Sequence, residues 1–145
     1  MSRVAAVFLL MAVLLSAGTQ NFGFAKRLVL KKDQIAEMLI QKDYPKSYAK
    51  EGLLQFRWTL FHNKRLVLLL DYEGYKYQYI LEPFYGRRSV RVNLTGDYKR
   101  IDRRPFMLLT FERFDSQKRL AHFLVEVSDP AKRLEIKTKK PAKQR

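Results

Sequence analysis

The fold class of this chain turns on residues 33–43, DQIAEMLIQKD. Ile35, Met38 and Leu39 recur there at helical spacing, with Ile40 at the margin of the same face. Asp33 stands where a carboxylate caps the free N–H groups of a first helical turn. Glu37 lies near the start, where the helix dipole favours an anion. Pro45 disfavours helical geometry at Tyr44, so the predicted helix ends around Lys42 or Asp43. Just upstream, Arg27 to Lys31 (RLVLK) alternates and predicts a short first strand.

From Gly52 onward the period changes to two. Leu54, Phe56, Trp58 and Leu60 alternate with Gln55, Arg57 and Thr59, the pattern of a half-buried strand. His62-Asn63-Lys64 predicts a turn. Arg65 to Tyr72 (RLVLLLDY) is apolar on both faces over its middle, which predicts a central strand. Glu73-Gly74 predicts a tight hairpin, followed by Tyr75, Tyr77, Tyr79 and Leu81 on one strand face. Further strands are expected at Val90 to Leu94, Phe106 to Phe114, Arg119 to Val127 and Leu134 to Ile136, with a short segment at Tyr98 to Asp102. The turn spacing favours an antiparallel meander. The expected fold class is therefore α+β: one N-terminal helix packed on a curved, partly open barrel-like sheet of about seven strands. It forms a single domain over residues 26–137, and residues 138–145 form a basic tail.

Ahead of this domain, Arg3 and an apolar run from Val4 to Leu15 predict a secretory signal peptide over residues 1–25. Small residues offer a cut after Gly18 or after Ala25. The run is too short to span a membrane, which takes about 20 residues. The expected location is exported, periplasmic or secreted. With no Cys in the chain, an exported domain must rely on its apolar core alone.

Catalytic parts are scarce. Zero Cys removes thiolate chemistry and zinc–thiolate sites, and the two His, His62 and His122, lack metal-ligand spacing. There is no Gly-rich phosphate loop and no serine nucleophile motif. The chain is expected to be no enzyme, with no cofactor and no metal.

Two features point to binding. Tyr75, Tyr77 and Tyr79 present three phenols on one strand face, which with Trp58 predicts the lining of an apolar ligand site. Net charge is +15, and it gathers beside turns as Arg87, Arg88, Arg91, Lys99, Arg100, Arg103 and Arg104. A rim of that kind attracts polyanions such as anionic lipid headgroups or acidic glycans. Export makes nucleic acid an unlikely partner.

The order from Leu28 to Tyr72 — short strand, helix, Tyr44-Pro45, Gly52-Leu53-Leu54, Asn63-Lys64-Arg65-Leu66, Asp71 — resembles the opening of periplasmic YceB-like lipoproteins. Phe114-Asp115 and Val127-Ser128-Asp129-Pro130 resemble that family's later hairpin. The chain lacks the family's lipid-anchoring Cys and a recognisable second helix. The resemblance implies a tubular lipid-binding fold with an apolar ligand along the concave sheet face. The expected function is thus a non-catalytic envelope protein that binds an apolar or anionic amphiphilic ligand. The alternatives are an accessory or adaptor subunit of an envelope protein complex and a generic polyanion binder.

Overall fold

A computed structural model describes residues 22–43, 51–84, 86–95 and 104–139. Within them the chain is all-β, with nine strands: β1 (Phe24–Lys31), β2 (Ala36–Lys42), β3 (Glu51–His62), β4 (Arg65–Tyr72), β5 (Tyr75–Leu81), β6 (Ser89–Asn93), β7 (Phe106–Asp115), β8 (Leu120–Ser128) and β9 (Leu134–Lys139). They form two antiparallel sheets. One has the order β1-β8-β7-β6 and the other β5-β4-β3-β2-β9. The expected α+β fold with an N-terminal helix is thereby corrected.

The helix expected over residues 33–43 is instead strand β2. Ala36, Met38, Ile40 and Lys42 are buried at period two, while the residues between them are half-buried. The apolar set fits either period, which a short run cannot arbitrate. Pairing on both sides settles it. Ala36 faces Phe56 on β3, while Met38 faces Thr138 and Ile40 faces Ile136 on β9. A helix here would leave both neighbouring strands with unpaired backbone, which is costly when buried. Asp33 is no cap. It sits at φ 61° in the β1–β2 turn and its N–H donates to Trp58 O at 2.9 Å. Pairing through Lys139 also brings Thr138 and Lys139 into β9 rather than a tail. Residues 1–21, Tyr44 and Pro45, the Tyr98–Asp102 segment and residues 140–145 lie outside the described residues.

Local signals do form the hairpins. Asn63 (φ 48°) and Lys64 (φ 62°) turn β3 into β4, and Glu73 (φ 53°) and Gly74 (φ 84°) turn β4 into β5. Paired positive φ values define the two-residue turn whose twist matches that of its strands. At the β7–β8 turn, the Asp115 carboxylate accepts the N–H groups of Gln117 and Lys118, both at 3.0 Å.

Two bulges complete the core. The β3–β4 register shifts between Trp58 and Leu60, and the β7–β8 register shifts between Phe111 and Arg113. Each extra residue flips the faces beyond it. Leu60, expected inside, therefore points out, and Phe61 turns in. On the facing sheet Phe114 turns in likewise. The two rings stack with centroids 3.9 Å apart, and Trp58 meets Phe114 edge-on at 5.5 Å. Trp58 also donates from Nε1 to Leu30 O at 2.9 Å, tying β3 to β1. Phe56 against Phe123 fills the next layer. The space between the sheets is a packed core, not a lumen.

Candidate functional site

Cross-strand register places the aromatic residues in rows. On the inward face of the five-stranded sheet, Trp58 stands beside Leu68 and Tyr79, Phe56 beside Leu70 and Tyr77, and Leu54 beside Tyr72 and Tyr75. Each row starts buried in the centre and ends on β5, an edge strand. The facing sheet has one strand fewer, and the exposure of Tyr75 and Tyr77 marks β5 as the edge left uncovered.

The two sheets meet on this side at one isolated bridge, Glu82 to Arg87, where Glu82 N–H donates to Arg87 O at 3.0 Å. Beyond that bridge β5 and β6 share no ladder among the described residues. Exposure rises along the same direction. Leu81 is buried, Tyr79 is half-buried, Tyr77 is 46% exposed and Tyr75 is 69% exposed. The result is a wedge with three phenols along one lip. The Tyr77 and Tyr79 rings lie within 25° of parallel, 6.1 Å apart. Burial, with the neighbouring Tyr77 phenol adding to it, pushes the Tyr79 phenol above its ordinary pKa.

Trp58 does not join this lip. It is fully buried two strands away, with its indole N–H satisfied inside the core. The basic residues divide as well. Arg87 and Arg88 lie at the closed apex of the wedge, and Arg88 Nη2 donates to Pro83 O at 2.8 Å. Arg91 lies on the outer face of the other sheet, its guanidinium 3.8 Å from the Phe106 ring centroid. Arg104 precedes β7, whose Phe106 pairs with Asn93, so it sits at the far end of β6 from Arg88. Lys99, Arg100 and Arg103 lie outside the described residues.

Several participants were not singled out from sequence. Lys64 comes within 4.8 Å of the Phe84 ring centroid and adds a cation near the apex. Lys42 is an inward residue of β2 whose side chain is 3% exposed. It pairs with Glu73 and lies 5.2 Å from the Tyr72 ring centroid. Tyr72 donates to Leu94 O at 2.7 Å, and burial raises its phenol far above its ordinary pKa. Gly52 completes the cluster, since a Cβ there would come 2.8 Å from Glu73 Oε1 and 3.1 Å from the Tyr72 ring. Extending the period Ala36, Met38, Ile40 by one step points to Lys42, a signal that the helical reading hides.

The outer face of the same sheet carries an open hollow of about 470 Å³ with Ile35, Arg57, Leu69, Asp71, Lys76 and Gln78 in its wall. Asp71 and Lys76 face each other across strands there, so the hollow has no single charge to select a ligand. No group of His, Asp and Glu suited to a metal ion exists among the described residues. No helix among them is long and apolar enough to cross a membrane.

No family model, curated protein or solved structure matches this chain. Its functional reading therefore rests on the wedge itself.

Proposed function

We propose that this protein is a non-catalytic, exported adaptor that holds a protein partner at its β5 edge. The observation that supports the reading is the uncovered tyrosine lip, Tyr75, Tyr77 and Tyr79, on a strand with one side unpaired among the described residues. Tyrosine brings a large apolar body with a polar tip and is enriched at interface cores. An exposed strand edge invites pairing unless it is guarded. The accessory-subunit reading is preferred to the lipid carrier because an internal ligand, as the resemblance to tubular lipid-binding domains implies, needs a lumen. Trp58, Phe56, Phe61 and Phe114 occupy that space. Export follows from the signal-like segment. A cut after Gly18 leaves β1 whole, whereas a cut after Ala25 removes Phe24 and Ala25, which pair with Val127 and Glu126.

A photo-crosslinking residue at position 77, compared with one at position 137 on the opposite rim, tests the adaptor reading in intact cells. A discrete, light-dependent protein adduct at 77 and none at 137 is expected. No protein adduct at 77, or lipid adducts alone, would return the carrier reading to first place.

A further inference from the structure

Backbone geometry shows what the β5 edge offers. Tyr72 and Tyr75 close a two-residue hairpin, so that pair exchanges both of its ladder hydrogen bonds. Bonded pairs then recur at every second residue. The N–H and C=O groups of Tyr75, Tyr77, Tyr79 and Leu81 point to β4, and those of Lys76, Gln78 and Ile80 point away from it. Glu82, next in the outward series, confirms the phase, because its N–H is taken by Arg87 O. Lys76, Gln78 and Ile80 thus present three donors and three acceptors in one row, with no backbone partner on that side among the described residues.

Charge then selects an occupant. Three cations border the Leu81 end of the row, Lys64, Arg87 and Arg88, whereas Lys76 on the strand itself faces Asp71. None of the three has a carboxylate partner among the described residues. The nearby carboxylates are engaged. Glu82 pairs with Arg65 at 2.5 Å and Glu73 pairs with Lys42. Asp71 accepts Gly74 N–H at 3.2 Å. A second copy of this chain would bring another +15 against the first, which opposes self-pairing.

We infer that an acidic, extended segment of a partner protein adds as a sixth strand to the five-stranded sheet along β5. Main-chain bonds go to Lys76, Gln78 and Ile80. Alternate apolar side chains of the segment lie against Tyr75, Tyr77 and Tyr79, and its carboxylates reach Arg87, Arg88 and Lys64. This deepens the adaptor reading and rests on it.

The test uses amide hydrogen exchange on the full chain with three synthetic peptides: one alternating valine and glutamate, one alternating valine and lysine, and the acidic peptide with a central proline. At about ten times its Kd, the valine–glutamate peptide should slow exchange at Lys76, Gln78 and Ile80 about tenfold, and the other two should not. Gln78→Pro removes one free-edge donor without touching the β4 ladder and should abolish the effect. Should that variant fold poorly, Arg87→Glu with Arg88→Glu provides the second arm and should weaken acidic-peptide binding at least about tenfold, more so at low salt. Equal protection by the lysine peptide, protection elsewhere only, or no protection overturns the inference. So does finding these amides already sealed by a second copy. A position-77 crosslink to a protein that survives Gln78→Pro refutes strand addition while sparing the adaptor reading. Absence of any such crosslink refutes the adaptor reading itself.

Discussion

Along the rim formed by β1 and β9, the inward-facing Lys26 reaches across to Thr138 and donates a hydrogen bond from one sheet edge to the other. Inward Leu134 and Ile136 pack on the core, while Glu135, Lys137 and Lys139 line the exposed face of β9. Along the rim formed by β5 and β6, the inward side chains are tyrosines of rising exposure, and among the described residues one backbone bridge, Glu82 to Arg87, joins the edges. Charged residues on an edge strand are the usual guard against unwanted pairing. One rim is therefore lined by charged side chains, and the other is aromatic. Both rims belong to the same core, and they differ in the side chains that they present.

Stability should depend most steeply on side chains along one cross-strand row, followed outward from the core. Trp58→Ala removes a fully buried ring and leaves Leu30 O without its partner, so it should cost about 3–5 kcal/mol in a urea unfolding titration. Tyr79→Ala, in the same row but half-buried, should cost about 1–2 kcal/mol. A flat response along the row would mean that the wedge is as well packed as the centre.

Lys42→Ala tests the polar seal beneath the β4–β5 turn. The change leaves Glu73 unpaired beside Tyr72, but Glu73 retains contact with water, so the expected cost is about 1–3 kcal/mol, below that of a fully buried pair. Tyr72 gives the same seal a pH signature. Its folded phenol titrates above the unfolded value of 10, chiefly because burial disfavours the anion. The contribution is thus complete below about pH 10 and is lost as pH rises toward the folded pKa, at up to about 1.4 kcal/mol per pH unit. Urea midpoints measured from pH 8 upward should be level until about pH 10 and then fall. Tyr72→Phe should flatten this loss.

The smallest effect belongs to the open lip. Tyr75→Ala should change stability by no more than about 0.5 kcal/mol, because its ring is 69% exposed. A larger loss in unfolding titrations would show that the ring is part of the core.

Much of this architecture was legible where residues act locally. Asn63-Lys64 and Glu73-Gly74 announced hairpins, and the run RLVLLLDY announced the inner strand β4. The β2 segment was not legible as a strand because Met38 and Ile40 belong both to a helical set with Ile35 and Leu39 and to an alternating set with Ala36. What distinguishes them is pairing with residues 134–139, about a hundred positions away. The bulges at Thr59 and Glu112 were hidden for a related reason. Each breaks an alternation so that Phe61 and Phe114 meet across the sheets, a contact no single strand reveals. For the site, the sequence displayed the Tyr75, Tyr77, Tyr79 face but not its exposure. Exposure depends on the facing sheet stopping one strand short. Trp58 looks alike in sequence, yet it sits where the facing sheet is complete.

The open-edge claim is tested most directly by residue-resolved amide exchange of the free, full chain along β5. Lys76, Gln78 and Ile80 should exchange fast, while Tyr77, Tyr79 and Leu81, bonded to β4, should be protected in strict alternation. Uniform protection across all six amides would contradict an open edge, because it would mean that the outward backbone groups of β5 are bonded.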